Sequence, residues 1–225
     1  MRVQARGDIV TLSITPDTAR QLTRLLHVLV GGEGIATTCA HWQAQVANNP
    51  RSRRFFRSQA RQEDFHAQLF AAAALFLAPK VSASESPSIS LDRYRRRLAS
   101  AMSRGQWVEV LVGQQVVLEH LGQVVLARLD AEVSRRGLGF VRLQRTVLRQ
   151  EQAHHAFGSR LVNSQLQAQQ FDLAEMQTLV EGYVELADDI LVEVSPLLES
   201  LDEDVEAYRR ELRRDLPQWL VRGAR

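Results

Sequence analysis

Residues 61–78 read RQEDFHAQLFAAAALFLA, a Glu63-Asp64-Phe65-His66 step running into a wholly apolar stretch. On a helix, Glu63 and His66 stand three residues apart, share a face and can grip the same ion. The step recurs as Glu151-Gln152-Ala153-His154. One copy is weak evidence; two copies in a chain with six histidines are suggestive. The apolar run Leu69–Ala78 is about half the length needed to span a bilayer, for which roughly 20 residues are required. It reads as a buried helix segment.

Two further glutamates complete the pattern. Glu33 lies 30 residues before Glu63, and Glu119 lies 32 before Glu151. The first midpoint falls at Asn48-Asn49-Pro50, the second just ahead of Gly137. If each pair belongs to an antiparallel helical hairpin, the chain runs about 22–24 Å out and the same distance back. Both partners then stand at one height. Each also continues an apolar stripe: Glu33 with Leu22, Leu26, Leu29, Ala36 and Ala40, and Glu119 with Val108, Val112, Val116 and Leu126. Glu63 and His66 lie between Phe56 and Phe70, and Glu151 follows Val147 and Leu148.

Outward from these motifs the chain reads as helices. Thr15-Pro16-Asp17 opens one with an N-cap and a first-position proline, and it lasts to about Val46. A second runs from about Pro50 to Leu77, and the Ser/Pro-rich residues 79–91 form a loop. A short basic helix, 92–104, leads to a third long helix over 106–135, closed by Gly137 and Gly139. A fourth covers 140–165. Asp172-Leu-Ala-Glu175 is a capping-box pattern opening a fifth helix to about Leu198. A sixth, 202–221, is interrupted near Pro217. No strand pattern competes, so the expected class is all-α: one domain over 1–225, with a four-helix bundle at 16–165, a crossover at 79–105 and a helical extension at 166–225.

Four buried carboxylates facing one another cost several kcal/mol each unless a cation neutralises them. Arginine cannot do so here, because no Arg or Lys shares those stripes at that height. A pair of metal ions can. Oxygen-rich ligation with one imidazole per ion suits iron or manganese better than zinc, which prefers a closed tetrahedral set.

The order Glu33, Glu63-x-x-His66, Glu119, Glu151-x-x-His154 resembles the ferritin-like di-iron carboxylate superfamily, whose bundles hold two metals with such a set. The resemblance covers about residues 16–165 and identifies 79–105 as the long crossover. Gly32-Glu33 followed by Glu-x-x-His is similar to demethoxyubiquinone hydroxylases and small di-iron oxygenases. The single cysteine, Cys39, departs from rubrerythrins, and Tyr94, Tyr183 and Tyr208 lie outside the four ligand helices, unlike the ribonucleotide reductase pattern. The residue before each histidine is Phe65 or Ala153, so outer support is expected from Gln115, Gln123 and Asp64.

The resemblance implies two iron ions (or manganese), O2 as co-substrate, and Glu63 and Glu151 as bridging, catalytic carboxylates. Glu33 and Glu119 are then terminal ligands, and His66 and His154 hold one ion each. The function expected is an O2-activating monooxygenase or oxidase acting on a small, partly apolar organic substrate. Its electrons come from a separate donor protein, since no flavin or ferredoxin motif is present. Ala36, Ala40, Gly122 and Gly158, with Phe56 and Phe70, are the expected pocket lining. A bacterioferritin-like ferroxidase and a tRNA-modifying hydroxylase are the alternatives.

Composition narrows the field. Lys plus Arg number 28 against 26 acids, a net charge of +2, which argues against a domain built for nucleic acid. The cluster Arg93, Arg95, Arg96 and Arg97 reads as the solvated face of the crossover helix. One cysteine excludes a disulfide framework or a CxxC pair, and Cys39 reads as buried and apolar. His120 and His155 read as packing against a neighbouring helix or solvent. The opening residues lack a signal-peptide core, so a cytoplasmic protein without a membrane span is expected, compatible with a homodimer.

Overall fold

The computed structural model describes residues 2–5, 8–11, 15–81, 88–135, 141–168 and 172–217. Two short strands come first, β1 (Arg2–Ala5) and β2 (Asp8–Thr11), paired antiparallel with Val3 opposite Val10. This hairpin adds two four-residue strands to a chain whose all-α class otherwise holds. Its β-branched Val3, Ile9, Val10 and Thr11 supply the propensity, too briefly to stand out beside long helices. The rest is helical, as the periodicity requires.

Helix α1 (Pro16–Val46) starts as its sequence dictates: the Thr15 side chain accepts the Thr18 N–H, and Pro16 occupies the first turn. Helix α2 (Pro50–Leu77) is capped by Asn49 in the same manner. The two lie against each other along their lengths. After the crossover, α3 (Ile89–Ser103) leads into the third long helix, residues 107–135. It is made of α4 (Trp107–Val110), a π-helical segment (Leu111–Leu118) and α5 (Glu119–Arg135). Helix α6 (Val141–Gln167) returns beside it and completes the second hairpin. The proposed closing glycines, Gly137 and Gly139, lie outside the described residues, as does Phe140.

Helix α7 (Leu173–Glu199) is capped by Asp172, and α8 (Val205–Arg214) by Asp204. The last helix therefore begins three residues later than the periodicity suggests. Asp202 has a positive φ of 61°, which turns the chain before the cap. Residues 218–221 lie outside the described residues. Helix α7 packs on α3 and the π-helical segment, and its Tyr183, Ala187, Ile190, Leu191 and Val194 belong to the main core. It is a structural wall of the bundle.

The apolar run at 69–78 is not buried as expected. Only Phe70 and Ala74 are, while Leu75 is 65% exposed. The helix lies at the edge of the bundle, so one residue in four reaches the core. The longest apolar stretch is instead Trp107–Leu129, long enough by length and composition to cross a membrane, with 83% of its apolar window buried inside the protein.

The arginine cluster of the crossover helix is solvated as expected at Arg93, Arg95 and Arg96, and its members are also paired. Arg93 pairs with Asp189, Arg95 and Arg96 with Asp92, and Arg97 with Glu109. Arg97 also lies 4.0 Å from the centre of the Tyr183 ring. The contacts of Arg93 and Arg97 tie α3 to α7 and to the third long helix.

Candidate metal centre

Antiparallel hairpins bring all six expected residues to one height. Glu63, His66, Glu119, Glu151 and His154 are 0–3% exposed, and the Glu33 side chain 10%. Their donor atoms form two groups, Glu33, Glu63, His66 and Glu151, and Glu63, Glu119, Glu151 and His154. Each group can hold one metal ion, and Glu63 and Glu151 belong to both. His66 Nδ1 lies 3.0 Å from Glu63, 3.1 Å from Glu151 and 3.6 Å from Glu33. His154 Nδ1 lies 2.9 Å from Glu63 and 3.3 Å from Glu119. Two donors each about 2.1 Å from one ion and at right angles would stand about as far apart.

The outer edges of both rings are fixed by a pair of glutamines. His66 Nε2–H donates to Gln150 Oε1 at 2.7 Å, and His154 Nε2–H donates to Gln62 Oε1 at 2.8 Å. Each glutamine immediately precedes the glutamate of its own helix and serves the histidine of the other. With Nε2 carrying the proton, a neutral ring presents its bare Nδ1 lone pair to the carboxylates. Lone pairs facing carboxylates repel unless a cation lies between them or the ring gains a second proton. His66 Nδ1, both oxygens of Glu63 and Glu151 Oε1 have no hydrogen-bond partner. Buried polar atoms are rarely left so. The residues present therefore fit a metal pair by donor chemistry and by what they lack.

Glu119 is held from the opposite side. Gln59 Nε2 donates to Glu119 Oε1 at 2.7 Å, and Gln114 Nε2 donates to the same oxygen. Gln115 Nε2 lies within hydrogen-bond reach of the side-chain oxygens of Gln43, Gln59 and Gln114, which share its two N–H groups. The π-helical segment makes this possible, because its i,i+5 spacing sets Gln114 directly before Glu119, whose N–H bonds the Gln114 carbonyl. Of the outer supports expected from sequence, Gln115 joins the network one step removed. Asp64 is exposed and accepts from Gln68 instead, and Gln123 serves His120. Gln59, Gln62, Gln114 and Gln150 take their place. The signal was present: both motifs read Gln-Glu-x-x-His.

In the metal-free cluster, protons do the neutralising. Burial, then the neighbouring Glu151, pushes the Glu33 carboxyl well above its usual range. Burial, then Glu63 and Glu151, does the same to Glu119. Glu63 goes the other way, to about 2, because His154 and His66 together outweigh its burial. Burial opposes charging His66, but Glu151, Glu33 and Glu63 raise its pKa above the usual imidazole value.

The signs fix a pH prediction. Raised groups bind more protons folded than unfolded, so their stabilisation is lost as pH climbs above 4.5 for Glu33 and Glu119, and above 6.5 for His66. The Glu63 contribution is lost only as pH falls from 4.5 towards about 2. The metal-free fold should lose about 1.4 kcal/mol per pH unit for each retained proton. Thermal unfolding of chelator-treated protein at pH 6 and 8.5 is expected to give the lower midpoint at pH 8.5. The metal-loaded protein should gain thermal stability over the same rise, because its ligands are deprotonated. Replacing Gln62 or Gln150 with Ala is expected to weaken metal binding about 10- to 100-fold, measured by competition with a chelator.

A narrow cavity opens onto the cluster at Glu33, Glu119 and Glu151. Every other lining residue is apolar or glycine, including Leu29, Gly32 and Ala36 of α1, Gly122 of α5, and Ile190 and Val194 of α7. Ala36 and Gly122 are as expected. The other proposed lining residues are not part of it. A Cβ on Gly158 would strike Gln115 Cβ at 2.3 Å, so that glycine serves close helix packing. Ala40 is fully buried, Phe56 packs edge-on to Trp107, and Phe70 sits in the second core cluster. Cys39 is buried too, with its thiol pushed up to about 12 by burial and by Glu119, which keeps it unreactive. His120 and His155 stack 4.9 Å apart as a packing pair, and burial lowers both, His155 to about 4.

No protein-family model matches the chain and no curated protein matches it, so the geometry carries the assignment. The helical fold and the buried Glu/His cluster are compatible with a ferritin-like two-metal site.

Proposed function

We propose that this protein is an O2-activating di-iron oxygenase or oxidase acting on a small, largely apolar organic substrate. The observation that carries the reading is the apolar cavity ending on Glu33, Glu119 and Glu151. A site that only collects iron has no use for such a pocket, whereas one that oxidises an organic molecule must seat it beside the metals. Glu63 and Glu151, shared by both groups, would bridge two ions. Glu33 with His66, and Glu119 with His154, would complete one each. When bound, the pair supplies redox and O2 chemistry that no side chain here provides. The protein's own part is positional. Gln62 and Gln150 hold the two imidazoles, Gln59 and Gln114 hold Glu119, and the aliphatic wall orients the substrate and excludes water.

The test is iron loading followed by O2 measurement. Substrate-dependent O2 consumption with release of an oxidised organic product is expected. Oxidation of many Fe(II) ions per chain into a retained mineral would replace this reading with ferroxidase and storage. Elemental analysis giving fewer than two ions per chain would remove the paired site altogether.

A further inference from the structure

Charge is distributed unevenly over the molecule. Helices α2 and α6 carry nine arginines and only three acids, of which Glu63 and Glu151 are buried in the cluster. The chain totals +2, so the remainder is net acidic. Elsewhere in the molecule Arg93 binds Asp189, Arg128 binds Glu203 and Glu211, and Arg213 binds Asp188. On α2 and α6, Arg51, Arg54, Arg57, Arg61, Arg145 and Arg149 are exposed, and among the described residues none forms an ion pair.

One of these cations, Arg149, lines an opening. A cleft of about 620 Å³, its mouth included, lies between the two helices and is lined by Ser58, Gln62, Arg149, Gln150 and His154. Arg51 and Arg54 precede Ser58 at helical spacing, and Arg61 follows it, so all three stand on the cleft side of α2. The outer edge of His154 lines it, with the half-buried Gln62 and Gln150 and the Phe55 ring alongside. The organic pocket meets the cluster elsewhere, at its carboxylates.

We infer that this face of α2 and α6 docks an acidic one-electron carrier protein, and that the cleft over His154 is where electrons enter. The inference rests on the oxygenase reading above. Unpaired arginines around a cleft steer and orient a partner of opposite charge. Each encounter oxidises the carrier by one electron and reduces the metal pair by one, so two encounters supply two electrons. A nucleic acid fits the charge but not the geometry. A base entering here would meet His154, away from the carboxylate side where the organic pocket opens.

The test compares iron-loaded wild type with an Arg51→Glu/Arg54→Glu/Arg61→Glu/Arg149→Glu variant, and with the milder Gln versions should the reversal misfold. The probes are a plant-type [2Fe–2S] ferredoxin and a flavodoxin, both strongly acidic, titrated calorimetrically at low and moderate salt. Wild type is expected to bind at least one, with affinity falling about tenfold or more as salt screens the contact. The variant should bind that carrier at least about tenfold more weakly and be reduced by it more slowly, with unchanged iron content and unchanged reduction by dithionite. Absence of salt-dependent binding to either carrier, equal binding by the variants, or preferential binding of transfer RNA would overturn the docking surface. Failure of wild type to hold iron or accept electrons from dithionite would instead defeat the oxygenase reading, and carrier titration scores the surface independently.

Discussion

Glu63→Ala is expected to empty both metal positions, whereas Glu33→Ala or Glu119→Ala should empty one. The asymmetry follows from membership: Glu63 belongs to both groups of donor atoms, Glu33 only to the one containing His66, and Glu119 only to the one containing His154. Removing a shared carboxylate takes a ligand from each ion and leaves two cations with less negative charge between them. The loss should exceed the roughly 10- to 100-fold cost of removing an outer hydrogen-bond partner. Elemental analysis after anaerobic Fe(II) loading and desalting provides the count. Equal losses for Glu33→Ala and Glu63→Ala would mean that the two groups do not act as a bridged pair. Glu151→Ala, the other shared carboxylate, should behave like Glu63→Ala.

This result would also explain why the cluster was legible in the sequence. Spacing alone placed Glu33 level with Glu63 and Glu119 level with Glu151, because a helix advances a fixed distance per residue and both midpoints fell near chain breakers. The glutamines on the histidines escaped notice for a simpler reason: the repeated motif was read one residue short, as Glu-x-x-His. Gln59 and Gln114 were hidden more deeply. Residues 111–118, LVGQQVVL, are buried throughout, so no polar face marks their period, and i,i+5 spacing cannot be told from i,i+4 by pattern. The Gly122 and Gly158 contrast shows a further limit. Both sit on ligand-bearing helices, and only the facing surface decides their use: Gln115 fills the space beside one, and a cavity lies beside the other. The N-terminal strands were missed because four-residue strands carry too few alternations to register.

The arginines of α2 and α6 illustrate what a sum of charges conceals. A net +2 over the whole chain argued against a domain built for nucleic acid, yet the total is a cancellation between an acidic remainder and one basic face. The conspicuous run Arg93–Arg97 drew attention in the sequence but is consumed by Asp92, Asp189 and Glu109. Arg51, Arg54, Arg57, Arg61, Arg145 and Arg149, dispersed along α2 and α6, form no ion pair among the described residues. Pairing, which depends on neighbouring helices, is decided only in three dimensions.

Gly122→Leu is expected to abolish turnover while both metals stay bound. A Cβ at position 122 would meet only Glu151 Oε2, at 3.4 Å, and a leucine would extend from there into the cavity. The helix itself should tolerate the change, since replacing an interior glycine with leucine favours helix by up to about 1 kcal/mol. The cavity is the part lost. Gly32→Leu supplies an independent check from the opposite wall, because a Cβ there meets nothing within 4 Å and Gly32 lines the same cavity. Both variants should retain wild-type iron content with a thermal midpoint no lower than wild type, and both should lose substrate-dependent O2 consumption by tenfold or more (about 1.4 kcal/mol in transition-state terms). A small drop with bulky substrates and none with short ones would still place the substrate in this cavity, with leucine acting as a stop at depth. Full activity in both variants on every accepted substrate would separate the cavity from catalysis. The organic pocket would then have to lie elsewhere along the bundle.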